Sequence, residues 1–287
     1  MKKVTIREAL FDASEFLKKH HLEQPVAEWL LRHYLNKNRT ELLLSLDEEL
    51  DEDVLTRFCD DLRRHATGVP VQYLIGYEYF YGRRFLVNEH VLIPRPETEE
   101  LIESVITWKK TLFNGQAVTI ADIGTGSGVI AITLALEIGG DVIATDLSYD
   151  ALSVAKKNAE ALRANVTFLH GDLIEPLLTL DKKIDILVSN PPYIPLKDKA
   201  TLPKNVRDFE PPLALFGGDD GLDVYRRLIP ALPSVINRPA LIAFEVGAGQ
   251  SEDVVTLLQQ TFPDEKAEVI YDINGKDRIV LIALQQA

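Results

Sequence analysis

The 287-residue sequence has little of what builds covalent or metal-held scaffolds, since its only cysteine is Cys59. One thiol forms no internal disulfide and supplies no cysteine-based zinc site, which suits a reducing compartment. The six histidines, His20, His21, His33, His65, His90 and His170, show no metal-ligand spacing, so no catalytic metal is expected. Long apolar runs are missing too. The stretch from Val129 to Leu136 is eight residues long and includes Thr133, against the roughly 20 apolar residues needed to cross a bilayer. Met1, Lys2 and Lys3 run into Arg7, Glu8, Asp12 and Glu15 with no apolar signal core. No membrane association and a cytoplasmic location are therefore expected. Positive charge is short as well: 31 Lys and Arg face 44 Asp and Glu, a net charge of −13. Such a surface repels a phosphate backbone, and no direct nucleic-acid binding is expected.

What is present is ordinary for a globular protein, with 46% hydrophobic and 26% charged residues. The length suggests about two domains. Residues 1 to 68 predict a small helical bundle. Thr5 and Glu8 form a capping box ahead of Ile6, Leu10, Ala13 and Leu17 at helical spacing. Further helices are expected from Pro25 through Trp29, Leu30, His33 and Tyr34, over Leu42 to Leu46, and through Val54, Phe58, Leu62 and His65. The acidic stretch from Asp47 to Asp53 reads as a binding face or as carboxylates placed at a helix N-terminus. Residues 69 to 95 predict a linker with a β-hairpin, because Tyr77, Tyr79 and Tyr81 alternate before Gly82-Arg83, and Phe85 and Val87 alternate after it.

From 96 to 287 apolar strands alternate with helical segments. They are expected at Val118 to Ile123, Val142 to Thr145, Val166 to Leu169, Ile184 to Val188, Leu241 to Phe244, Glu268 to Tyr271 and Ile279 to Leu284. This predicts an α/β fold with a mostly parallel sheet. Asp272 to Lys276 is too short for a crossover helix, so the last two strands must be antiparallel.

The first long strand runs into Gly124, Thr125, Gly126, Ser127 and Gly128, a turn that lets backbone approach a ligand where a strand delivers it to a helix N-terminus. The dinucleotide fingerprint requires glycine or alanine where this chain has Val129, and no Gly-Lys-Ser/Thr phosphate loop is present. Asp146 ends the next strand 22 residues after Gly124, where its carboxylate can accept from both ribose hydroxyls of an adenosine ligand. A tight βα turn, with Asp146 capping the helix near Ser148, is the structural alternative. Asp172 could meet the adenine amino group with Leu173 packed on the ring, or simply form a turn.

After the fourth strand come Asn190, Pro191, Pro192 and Tyr193. Prolines stop the strand and stiffen the loop at the C-terminal sheet edge, where α/β proteins bind ligands. A planar NH₂ group is a poor nucleophile until acceptors hold its hydrogens. The Asn190 side-chain oxygen and the Pro191 carbonyl supply two acceptors, and the Tyr193 ring can stack on the planar group. Such a loop suits methyl transfer from a sulfonium to nitrogen by alignment, without a strong base. A rigid turn is again the plain alternative.

In this order the motifs resemble the class I S-adenosylmethionine-dependent methyltransferases. Pro70-Val-Gln-Tyr-Leu-Ile-Gly76, Val91-Leu-Ile-Pro-Arg-Pro-Glu-Thr-Glu99, Phe209-Glu-Pro211, Phe216-Gly-Gly-Asp-Asp-Gly221 and Asp277-Arg278 narrow the match. With them the chain resembles the peptide chain release factor glutamine N5-methyltransferases. The resemblance implies a Rossmann-like class I methyltransferase sheet with an antiparallel final hairpin, preceded by a helical bundle that docks class I peptide chain release factors. It implies S-adenosyl-L-methionine as cofactor and S-adenosyl-L-homocysteine as product. Gly124, Thr125, Gly126, Ser127 and Gly128 would face the methionine part, Asp146 the ribose and Leu173 the adenine, with Asn190 also at the cofactor. Asn190, Pro191, Pro192 and Tyr193 would hold the glutamine of a Gly-Gly-Gln loop, with Asn190, Pro191 and Tyr193 as the catalytic set. Pro94 to Thr98 is expected near the pocket and equally as a helix start, while Glu210 and Glu245 read as structural glutamates that could help position a ligand. Two other functions are compatible with the residues: an adenine amino-group methyltransferase on DNA or RNA, and a non-catalytic module that binds the adenosyl ligand or a translation protein.

Overall fold

The computed structural model describes residues 3–286; Met1, Lys2 and Ala287, which fall within the ranges above, lie outside them. The chain forms two compact units, one running up to Tyr77 and including Pro203–Phe209, the other comprising Glu78–Leu202 and the chain from Glu210 onward.

In the first unit, α1 (Ile6–Lys19) starts at the expected capping box, with Glu8 N donating to Thr5 Oγ1 at 3.2 Å and Thr5 N donating to the Glu8 carboxylate at 3.0 Å. Pro25 opens α2 (Pro25–Leu35). The third helix, α3 (Arg39–Leu44), begins earlier than Leu42 because Asn38 and Glu41 form a second capping box. Asp51 caps α4 (Glu52–Ala66), with Glu52 and Asp53 in its first turn, so this part of the acidic stretch sits where the helix dipole favours negative charge. Asp47, Glu48 and Glu49 form exposed ion pairs with Arg7, Lys37 and Lys3. Leu17, Leu30, Leu31, Leu42 and Phe58 are fully buried in the bundle core. A short α5 (Val71–Ile75) follows.

Next come β1 (Tyr77–Phe80) and β2 (Arg83–Leu86), joined through Tyr81 and Gly82, both at positive φ as a type I′ turn requires. The main sheet is built from α6 (Glu97–Phe113), β3 (Thr119–Ile123), α7 (Val129–Ile138), β4 (Asp141–Asp146), α8 (Tyr149–Leu162), β5 (Val166–His170) and β6 (Ile184–Ser189). An excursion then carries α9 (Lys204–Phe209, part of the first unit), α10 (Pro212–Leu215) and α11 (Asp223–Leu228) before β7 (Ile236–Glu245), α12 (Ser251–Thr261), β8 (Ala267–Tyr271) and β9 (Asp277–Leu284).

The strand order is β5-β4-β3-β6-β7-β9-β8. Strands β3 to β7 pair in parallel, and β9 runs antiparallel to both β7 and β8. Asp272 closes the final turn by accepting from Asn274 N at 2.9 Å and Lys276 N at 3.0 Å. Apolar side chains alternate between the sheet's faces, with Ile186, Val188, Leu241 and Ala243 in one core and Leu187, Ile242 and Phe244 in the other. Two buried faces explain why these strands read as continuous apolar runs. The register sets Ile123 opposite Thr145 and Ser189, and Asp146 opposite His170, which aligns the C-terminal strand ends along one edge. The chain leaves β3 outward to β5 and then returns to β6 on the other side. The switch point between β3 and β6 is where such sheets bind ligands. Among the described residues no helix is long and apolar enough to cross a membrane.

Candidate active site

A cavity of about 330 Å³ opens at that edge, within the size range of small-molecule sites. Gly124, Thr125, Gly126, Ser127, Asp146, Leu173, Asn190, Pro191 and Pro192 all line it. One wall is the glycine turn. Gly124 N and Thr125 N both donate to Thr145 O at 2.9 Å, and Gly126 N donates to Asp146 Oδ2 at 2.8 Å. Asp146 Oδ1 accepts from Ser148 N at 2.8 Å, and Ser148 caps α8. Asp146 is thus both a turn-holding and a cavity-lining residue, which joins the two sequence alternatives. Burial pushes its carboxyl above the ordinary range, and the Ser148 and Gly126 N–H groups pull it back.

Behind the turn, Asp122 is fully buried and accepts from Thr125 Oγ1 at 2.6 Å and Ala131 N at 3.1 Å. Desolvation pushes it up to about 7 against those two hydrogen bonds. Asn158 ties Ser127 O to β2 by donating to Ser127 O at 2.9 Å and Leu86 O at 3.0 Å.

A Cβ on Gly124 or Gly126 would meet nothing within 4 Å. These backbones face open space, as a cradle for a closely approaching ligand must. Gly128 is different: it does not line the cavity but caps α7 at φ +85°, where a Cβ would lie 2.8 Å from Ile132 Cδ1 and 3.1 Å from Ala155 Cβ. Gly128→Ala is expected to lose about 1–3 kcal/mol of stability, from left-handed strain and overpacking, as read by denaturant unfolding.

The opposite wall is the Asn-Pro-Pro loop. Ser189 Oγ donates to Ile123 O at 2.6 Å, tying β6 to the start of the glycine turn. Asn190 Nδ2 donates to Thr98 Oγ1 at 3.2 Å, which leaves Oδ1 as the end of the amide available to a ligand. Tyr193 is set back from the cavity wall: it is half-buried against the core, and its hydroxyl donates to Glu245 Oε1 at 3.3 Å. The Glu245 contact anchors the tip of the side chain, since a desolvated tyrosine hydroxyl seeks a partner. Burial first, and then the Glu245 charge, raise the Tyr193 hydroxyl well above its usual range.

On the remaining side, Leu173 sits at φ 50° with its carbonyl held by Thr145 Oγ1 at 3.0 Å. Asp172 and Arg227 also line the cavity and form an ion pair with each other, so one Asp172 oxygen is already occupied. Pro94, Arg95 and Thr98 line the cavity where the start of α6 approaches it, so the segment is helix start and pocket wall at once. Arg95 pairs with Glu210, whose side chain is fully buried and also accepts from Ile93 N at 3.2 Å. Glu210 therefore holds the Ile93–Arg95 segment in place. The Thr98–Glu245 hydrogen bond at this wall was hidden from sequence reasoning, since the two lie 147 residues apart.

The lining combines a backbone cradle, a carboxylate one strand away and an apolar shelf at Leu173. That donor and acceptor set fits an adenosyl sulfonium ligand, with an amide acceptor facing it across the switch point. Among the described residues no cluster of three His, Cys, Asp or Glu side chains is placed to hold a metal ion.

Family models match twice, the PrmC N-terminal domain over residues 8–76 and the methyltransferase small domain over residues 107–205. A release factor glutamine methyltransferase from Bacillus cereus is 50% identical over 281 residues, covering 98% of this chain and 99% of that protein. The protein of the same name from Bacillus subtilis is 46% identical, with 96% of each chain covered. Among solved structures, a methyltransferase from Pyrococcus furiosus superposes with a TM-score of 0.52 at 16% identity, over 79% of this chain and 99% of its own, a likeness of fold.

Proposed function

The chain belongs to the release factor glutamine methyltransferase family, and from that premise we propose that the cavity between β3 and β6 is where a glutamine side-chain amide of a class I peptide chain release factor is methylated. The protein is an S-adenosylmethionine-dependent methyltransferase. The relatives' names do not favour the adenine amino-group alternative. S-adenosylmethionine, when bound, supplies an electrophilic methyl group on a sulfonium. The glycine turn from Gly124 to Ser127 would hold its methionine part, with Gly128 behind it fixing the start of α7, Asp146 would hold the ribose hydroxyls and Leu173 the adenine ring. The opposing wall prepares the nucleophile. Asn190 Oδ1 and the Pro191 carbonyl would accept the two hydrogens of the substrate NH₂, which orients the nitrogen and draws electron density back onto it. Pro191 and Pro192 keep these acceptors in place by stiffening the loop. Tyr193, its hydroxyl anchored on Glu245, would complete this set by packing its ring on the planar amide.

The observation that carries this proposal is the single cavity that brings Asn190 and Pro191 to face Gly124, Gly126 and Asp146. No strong base is required, and the rate gain comes from alignment. The helical bundle would dock the release factor, and the target glutamine would be that of its Gly-Gly-Gln loop. A reducing cytoplasm, where release factors work, is the matching compartment. Incubation of the enzyme with S-adenosylmethionine and a class I release factor, followed by peptide mapping, is expected to place one methyl group on the glutamine side-chain nitrogen. Methylation of any other residue would contradict the assignment.

A further inference from the structure

Glu245 ends β7 at the ligand-binding edge of the sheet and is 1% exposed. Thr98, in the first turn of α6, is 3% exposed and donates its hydroxyl proton to Glu245 Oε2 at 2.7 Å. The same Thr98 oxygen receives Asn190 Nδ2 at 3.2 Å. A threonine hydroxyl has one proton to give. With that proton committed to a carboxylate, Thr98 can only accept from Asn190. The Asn190 amide must therefore turn its NH₂ towards Thr98 and its Oδ1 towards the cavity. The opposite flip would set Oδ1 against an oxygen with no proton left and aim two donors at a substrate that also presents two donors.

We infer that the Glu245 carboxylate, acting through the Thr98 hydroxyl, is a positioning group that fixes the flip of the Asn190 amide and thereby makes it an acceptor for the substrate amide. The inference rests on the glutamine reading above and deepens it. The charged and titratable neighbours of Glu245 come from the loop, helices and strand packed around it. Tyr193 donates to Oε1 at 3.3 Å from the Asn-Pro-Pro loop, and Tyr225 on α11 donates to the Glu245 main-chain carbonyl at 2.6 Å. Arg278 on β9 favours the charge electrostatically, and Glu97 on α6 opposes it. Burial pushes the carboxyl up to about 7, against the Thr98 hydrogen bond, the Arg278 charge and the Tyr193 hydrogen bond. Protonated Glu245 can donate to Thr98, freeing the threonine proton to point at Asn190 and favour the wrong flip. Activity then falls on acidification through that range.

The test compares wild type with Thr98→Val, Thr98→Ser and Glu245→Gln, using a release factor as substrate and measuring cofactor binding separately. Thr98→Val is expected to lower kcat about 10- to 100-fold, the scale of one orienting hydrogen bond, with the cofactor Kd nearly unchanged. Thr98→Ser, which keeps the hydroxyl, is expected to restore most of the rate. Wild-type kcat should fall on acidification below about pH 7, and Glu245→Gln should be slower at high pH and lack that acid limb.

A second readout needs no cofactor. Folded Glu245 holds its proton more tightly than the unfolded chain does, so its contribution to stability is lost as pH rises from about 4.5 through about 7. The Tm of Glu245→Gln minus that of wild type should therefore become more positive with rising pH across that window. Wild-type kcat in Thr98→Val, an acid limb retained in Glu245→Gln, a pH-independent Tm difference, or loss of cofactor binding in step with kcat would each overturn the inference. Wild-type enzyme that methylates no release factor would instead overturn the glutamine reading, and the inference with it.

Discussion

Asn190→Ala is expected to lower methyl transfer about 10²- to 10³-fold, the scale of removing one pre-organised hydrogen-bonding group from a reacting centre, while S-adenosylmethionine binding stays nearly intact. The Nδ2 end of the side chain is held by Thr98 at 3.2 Å, and its other end faces the cavity. Alanine removes the acceptor without touching the bonds that hold the glycine turn, which run from Gly124, Thr125 and Gly126 to Thr145 and Asp146. The substrate nitrogen then loses one of two fixed directions, and its lone pair spends less time aligned with the incoming methyl. Single-turnover rates with saturating cofactor, beside calorimetric binding, separate the two effects. Loss of binding in step with rate would make Asn190 a cofactor or structural residue.

Asp146→Ala should show the opposite split. The carboxylate accepts from Gly126 N and Ser148 N at 2.8 Å each while lining the cavity, so it holds the turn and is placed to receive ribose hydroxyls. Hydrogen bonds to a charged group contribute about 1.5–3 kcal/mol, so the cofactor Kd should rise about 10- to 150-fold. The rate at saturating cofactor should change much less, because the acceptor wall around Asn190 is a separate construction. An unchanged Kd would remove Asp146 from the ribose site.

Much of this architecture was legible because local chemistry and tertiary structure agree. β6 and β7 read as continuous apolar runs and are buried on both faces. The short connection through Asn274 and Gly275 does force the antiparallel strand, although β9 inserts between β7 and β8 instead of adding at the edge. The meeting of the candidate site's two walls was legible for a similar reason: the glycine turn and the Asn-Pro-Pro loop are contiguous motifs at strand ends, and the parallel register brings them together. What stayed hidden was the choice of partner by buried polar groups. Glu245 finds Thr98 across 147 residues and Glu210 finds Arg95 across 115, with no local pattern to announce either pair. The Tyr193 hydroxyl meets Glu245 for the same reason. Asp172, read as an adenine contact or a turn, meets Arg227. Pro203–Phe209 joins the first unit from deep within the second half of the sequence, which no window of local periodicity can reveal. The early start of α3 is a different kind of miss, since the Asn38–Glu41 capping box is local and readable.

The central claim is that this site methylates a protein glutamine amide. Its most direct test offers labelled S-adenosylmethionine in parallel to a class I release factor with its Gly-Gly-Gln loop, to the same factor with that glutamine replaced, and to duplex DNA. Label on the intact factor alone is the expected result; label on the substituted factor or on DNA, or on none of the three, would contradict it.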